Sequence, residues 1–288
     1  MPNLNLPEDA PNPTLLSRRG ALAALGATVA FARTGQVPAA ATAVTQPPQP
    51  TWGNAYGLVV APRSAWVPTN APVVANLDVE PSVAVLIVHH SETSNTYAVE
   101  DGPKVLRSFR AYHMSRKKGW PDVAYNFFVD RFGGVWEGRT GSLIAPVAGS
   151  ATGGNQGGSQ LVCLVGNHHT VPPTEAALAS LTNLLATLAD HYMLPLEPDA
   201  TTEFASRGST RWPAGATVRT RTIEGHRGMS MTSCPGDAAF RILPTVRGEV
   251  HRLRAAAVTA TSASAQKFVQ RRRYSNAMSA LANRPRQR

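Results

Sequence analysis

Val83-Ala84-Val85-Leu86-Ile87-Val88-His89-His90 is the stretch on which the fold turns. An unbroken apolar run with β-branched residues is the pattern of a strand buried on both faces, and here it ends on two histidines. Ala124 to Phe132 and Gln160 to Val165 repeat that pattern. Between the first two runs, Val105, Phe109 and Tyr112 recur at i, i+4, i+7 and predict a helix face. Thr174 predicts the cap of a second helix, with Leu178, Leu181, Leu185, Leu188 and Tyr192 on one side. Thr217 to Ile223 reads as a further strand. Asp237 reads as the cap of a last helix that reaches about Leu253 and is interrupted near Pro244. Strands alternating with helices predict an α/β domain, a central sheet flanked by helices, with binding residues gathered at strand ends.

The 288 residues allow one or two domains and a full core. The net charge of +10 invites a nucleic-acid partner, but its distribution argues against one. Residues 1–246 carry 18 Lys+Arg and 17 Asp+Glu; residues 247–288 carry ten Lys+Arg and a single acid, Glu249. Nucleic acid is therefore excluded as a partner of the folded domain. The basic end, 257–288, reads as a low-complexity tail able to form an amphipathic turn or two, with charge suited to screened attraction to an anionic partner. At the other end, Arg18-Arg19 before a short Ala/Leu/Gly/Val stretch predicts a twin-arginine export signal over 1–43, then a Pro-rich linker over 44–54. No apolar run reaches the roughly 20 residues of a membrane-spanning helix. That leaves one domain, 55–256.

His89 and His90 follow the first buried strand, His226 follows the Thr217–Ile223 run, and Cys234 lies eight residues later before Pro235-Gly236. Two imidazoles and a thiolate brought together from strand ends suit zinc, with a fourth position left for water, as in catalytic sites. Taken singly, each residue has a plainer reading: a polar group at a strand end, or a buried thiol.

Five segments, in order, resemble one family. They are Arg63-Ser64-Ala65-Trp66, Ile87-Val88-His89-His90-Ser91, Gly119-Trp120-Pro121-Asp122-Val123-Ala124-Tyr125-Asn126-Phe127-Phe128, Gly134-Val135-Trp136-Glu137-Gly138-Arg139, and Gly225-His226-Arg227 with Thr232-Ser233-Cys234-Pro235-Gly236. Together they are similar to the zinc-dependent N-acetylmuramoyl-L-alanine amidases of the peptidoglycan recognition protein and phage lysozyme (type 2 amidase) family. The resemblance implies a single domain built on a central mixed β-sheet flanked by helices. It implies Zn2+ on His89, His226 and Cys234, and hydrolysis of the amide joining N-acetylmuramic acid to L-alanine in peptidoglycan.

It also implies a catalytic role for Tyr125, whose phenol can donate to the developing oxyanion, with Thr232 standing where phage members carry lysine. Gly119, Trp120 and Arg139 match a pattern that accompanies meso-diaminopimelate stems; a guanidinium can grip the side-chain carboxylate that lysine lacks. His113 matches a groove histidine that touches substrate. Ser150 stands where many relatives place another groove histidine, a departure that bears on how muramyl peptide is held. His168-His169 reads as exposed loop, and Cys163 as a small hydrophobe on a buried strand. The alternative within the same fold is a non-catalytic peptidoglycan-binding protein, although such receptors typically lose the zinc cysteine that this chain keeps.

Overall fold

The computed structural model describes residues 56–282 apart from 73, 75 and 76, and side chains as far as residue 262. The expected signal and linker lie outside those residues. Every described residue falls within one unit, Pro50–Arg288.

Six strands form one mixed sheet: β1 (Val60–Ala61), β2 (Val85–His90), β3 (Phe127–Val129), β4 (Val135–Glu137), β5 (Ser159–Leu164) and β8 (Ile223–Gly225), in the order β1-β4-β3-β5-β2-β8. All neighbours run parallel except β3 and β4, which are antiparallel. A separate antiparallel pair, β6 (Thr201–Ala205) and β7 (Thr217–Arg221), stands apart from this sheet.

Side chains alternate across a strand, and β2 uses both faces. Leu86 and Val88, with Phe127, Val129, Val162 and Leu164, enter one apolar cluster. Helix α2 (Glu175–His191) covers it with Leu181, Leu184, Leu185 and Leu188, and helix α3 (Asp237–Ala282) with Leu243, Val246 and Val250. Thr174 caps α2 by accepting the Ala177 amide at 3.1 Å. On the opposite face, Phe128 and Cys163 meet Trp66 and, from helix α1 (Gly102–His113), Leu106 and Phe109, while Val85, Ile87 and Leu161 form a third cluster with Met229. The same alternation sends His89 to the α1 face and His90 to the α2 face.

Three local readings change. Thr217 to Ile223 is two strands: β7 pairs only with β6, and the chain enters the main sheet at β8. Val218 and Ile223 are five residues apart, an odd spacing that cannot share one face of one strand. The buried stripe of α1 is Gly102, Leu106, Phe109 and His113, one residue on from Val105 and Tyr112. Helix α3 passes through Pro244 and runs on to Ala282, where composition suggested a break and then a turn or two. Its Ala-rich stretch after residue 254 favours helix strongly enough for it to continue.

The Arg63-to-Trp66 segment ties the chain's entry to the β4 edge. Trp66 Nε1 donates to the Glu137 carbonyl at 2.8 Å, and Arg63 Nη2 reaches Asp122 at 3.2 Å. Asn126, fully buried, donates to the Val147 carbonyl (2.7 Å) and accepts from the Leu161 amide (2.8 Å), which fixes the backbone beside Tyr125.

Candidate metal centre and active site

Strand register assembles the first two candidate ligands. In the parallel β2–β8 pair, Val88 lies opposite Gly225, so the next residues on each strand, His89 and His226, emerge side by side. Their ring centroids are 4.5 Å apart. Cys234 returns on a short loop closed by Arg227 N to Cys234 O (3.0 Å) and Cys234 N to Thr232 Oγ1 (3.2 Å). Gly236 then needs both its φ of +87° and its missing Cβ, because a Cβ would come within 2.4 Å of the His168 carbonyl oxygen.

The donor atoms of His89, His226 and Cys234 all lie within 4.8 Å of one another. Cys234 Sγ is 3.6 Å from His89 Nδ1. Tetrahedral zinc with bonds of about 2.3 Å to sulfur and about 2.05 Å to nitrogen would hold such a pair about 3.6 Å apart. Burial drives His89 well below its ordinary 6.5 and takes His226 to about 4, with a hydrogen bond to the Thr152 backbone opposing the latter shift. Both imidazoles are thus neutral, the state a ligand needs. Ring nitrogens Nε2 of His89 and His226 are buried without a hydrogen-bond partner. Burial raises the Cys234 thiol to about 12, against an amide bond from His90 N to Sγ at 3.4 Å. Metal uptake must therefore release that proton. This donor set fits zinc.

Around it stands a wall of the expected residues. The Tyr125 ring lies 5.1 Å from that of His89 and 5.8 Å from that of His113. Burial, the nearby Cys163 and Cys234 thiols and a hydrogen bond to Cys163 hold the Tyr125 phenol well above 10, so it keeps its proton, which in this structure it donates to Cys163. His113 Nδ1 accepts the Ala124 amide at 3.1 Å, which leaves its proton on Nε2. Trp120 packs 4.9 Å from His113, just after Gly119, whose φ is +65°. Thr232 spends its lone pair on Cys234 N and keeps its hydrogen for another acceptor. Arg139 is buried (6% exposed): its Nη1 donates to Ser150 Oγ at 2.8 Å and to Val123 O at 3.3 Å. Arg139 is thus no surface charge, and Ser150 is its partner.

A second cluster, His90, Glu92 and His169, also has donor atoms within 4.8 Å of one another. It does not present a metal site. The His168 amide donates to His90 Nδ1 at 3.1 Å, so Nε2 carries hydrogen where a metal needs a lone pair. His169 Nε2 is already paired with Glu92 at 2.9 Å. His168, expected on an exposed loop, is buried with Nδ1 3.0 Å from Val171 O.

Burial also sets how stability responds to pH. His90 falls to about 3, His113 to about 4 and His226 to about 4, from 6.5. Between about pH 6.5 and pH 4 the unfolded chain binds protons on these rings and the folded protein does not. Stability is therefore full above 6.5 and falls as the pH drops through that window. The urea midpoint of metal-free protein should be lower at pH 5 than at pH 7; equal midpoints would contradict the burial of these rings as neutral groups.

Two supports of the centre come from segments outside the five motifs. The Thr152 backbone bonds the His226 ring and also accepts from Ser230 Oγ. Residues 209–212 bond the loop between His226 and Cys234.

A family described as N-acetylmuramoyl-L-alanine amidase matches residues 80–237, more than half of the chain. The human N-acetylmuramoyl-L-alanine amidase is 33% identical over 140 residues, 49% of this chain and 20% of that protein. Drosophila melanogaster peptidoglycan-recognition protein LE is 28% identical over 127 residues, 44% of this chain and 35% of that protein. The chain thus spans only about a fifth to a third of the length of these two relatives. Among solved structures, Drosophila peptidoglycan recognition protein SD superposes with a TM-score of 0.50 at 20% identity, over 65% of this chain and 93% of that one. The likeness to that structure is one of fold. With all three candidate ligands inside the matched span, the chain belongs to the N-acetylmuramoyl-L-alanine amidase family, type 2, on the mixed-sheet fold that peptidoglycan recognition proteins share.

Proposed function

We propose that this chain is an exported zinc amidase that cleaves the bond between N-acetylmuramic acid and L-alanine in peptidoglycan and prefers meso-diaminopimelate stems. The observation that carries the reading is the donor set of His89, His226 and Cys234, complete and beside Tyr125. Zinc held there would polarise the scissile carbonyl and supply an activated water. Tyr125 keeps its proton and donates it in a hydrogen bond to the oxygen that becomes an oxyanion, with Thr232 a second neutral donor. His113, neutral with Nε2–H, orients the substrate by donating and takes up no proton near pH 7.

Arg139 sets the stem preference. Its guanidinium has five N–H donors, and the Nη1 bonds to Ser150 and Val123 use at most two. The rest can bind the diaminopimelate carboxylate. Arg139→Lys, which keeps the charge and loses the fork, should cut the preference for diaminopimelate over lysine stems by about tenfold in kcat/KM. An unchanged ratio removes Arg139 from specificity. The ten Lys+Arg after residue 246 would add screened, salt-dependent attraction to anionic wall polymers.

The test is incubation of zinc-replete protein with purified sacculi. The amidase reading expects soluble stem peptides with new L-alanine amino termini. Binding to sacculi without release would favour the non-catalytic binding reading. Among the described residues, no helix is long and apolar enough to cross a membrane.

A further inference from the structure

The β6–β7 pair stands outside the main sheet, and its strands are half exposed, with β6 alternating between exposed and half-buried residues. Such an element contributes little to the core. Phe204 packs against the cluster of Val85, Ile87, Leu161 and Met229, and Val218 is buried. The segment joining the two strands is occupied otherwise. Trp212 Nε1 donates to the Gly228 carbonyl at 2.9 Å, Ser209 Oγ to the Met229 carbonyl at 2.7 Å, and Arg211 Nη1 to the Arg227 carbonyl at 3.2 Å. Thr210 Oγ1 accepts the Met231 amide at 2.9 Å. Four consecutive side chains thus grip four backbone positions of the seven-residue loop between His226 and Cys234.

We propose that residues 209–212 are a positioning clasp that holds the His226–Cys234 loop in its metal-binding shape. His226 is fixed by β8, but Cys234 can meet it only if the intervening loop keeps one conformation. The loop bonds its own ends, Arg227 N to Cys234 O and Met229 N to His226 O among these bonds. In addition, the carbonyls of 227, 228 and 229 and the amide of 231 have their partners on this hairpin. Without them the loop samples other shapes, and ordering it is charged against zinc affinity. Losing a direct partner of a metal ligand weakens metal binding about ten- to hundredfold, and the clasp, one step further out, acts at the low end of that range.

This inference rests on the zinc reading of the centre. The test measures zinc affinity by competition with a chromogenic chelator for the full chain and three variants. Trp212→Phe removes the indole N–H and keeps an aromatic ring in place; Thr210→Val removes the acceptor for Met231 N at nearly equal volume. Arg219→Ala alters the exposed Arg219–Glu203 pair on the strands of the same hairpin. Trp212→Phe and Thr210→Val should each bind zinc about tenfold more weakly, and Arg219→Ala should match the wild type. Wild-type affinity in both clasp variants overturns the proposal. So does equal weakening in Arg219→Ala, which would mean general destabilisation of the hairpin. Should Trp212→Phe fail to fold, Thr210→Val decides. Tight zinc binding by the wild type with no cleavage of sacculi would count against the amidase reading and leave the clasp standing.

Discussion

Cys234→Ala should yield a folded protein that retains no zinc after gel filtration and releases no stem peptide from sacculi. Sγ is one of three donors within 4.8 Å of one another, and it alone brings negative charge to the metal. Its removal leaves two neutral imidazoles, too few for a tetrahedral site that also keeps a place for water. The scaffold has little stake in the thiol: Cys234 sits on a loop held by Thr232, Arg227 and Ser233 rather than in any of the three apolar clusters. Circular dichroism of the metal-free variant should therefore match that of metal-free wild type. Zinc-dependent release by Cys234→Ala would show that the metal sits elsewhere.

Tyr125→Phe should produce the second-largest loss, and of a different kind. The phenol is close to the metal ligands, 5.1 Å between the Tyr125 and His89 rings, yet is not a ligand itself. Removing its oxygen leaves the ring packed between His89, His113 and Phe128. Zinc affinity should be unchanged. A single donor to a developing oxyanion is worth about 10²–10³ in kcat, so turnover should fall by about that factor with KM little altered. A kcat within a few-fold of wild type would take Tyr125 out of the reaction. A fall in zinc affinity of the same size would assign it a structural role.

Much of this was legible in the sequence, and the limits have physical causes. The apolar run ending at His89-His90 gave away its strand because burial on both faces leaves no polar residue in it. Its parallel neighbour β8 then had to deliver His226 beside His89. The split of Thr217 to Ile223 was missed, because apolar content alone joined two residues, Val218 and Ile223, whose odd spacing puts them on opposite faces of a strand. The α1 face was harder: its fourth buried member is His113, which an apolar pattern does not count. The clasp of residues 209–212 on 227–231 left no trace. Side-chain bonds to backbone groups obey no period, and Ser, Thr, Arg and Trp in a loop look alike whether or not they grip anything. Arg139 shows the same limit. Its motif position was visible, but its burial against Ser150 depends on two segments meeting in space.

The central claim is a bond and a metal, and mass spectrometry of purified diaminopimelate-type peptidoglycan after digestion, with and without a chelator, tests both together. The account predicts glycan fragments with a free lactyl carboxylate on muramic acid and stem peptides beginning at L-alanine, both absent when chelator is present. Fragments cut between sugars or within the stem, or amidase products that persist in chelator, would contradict it.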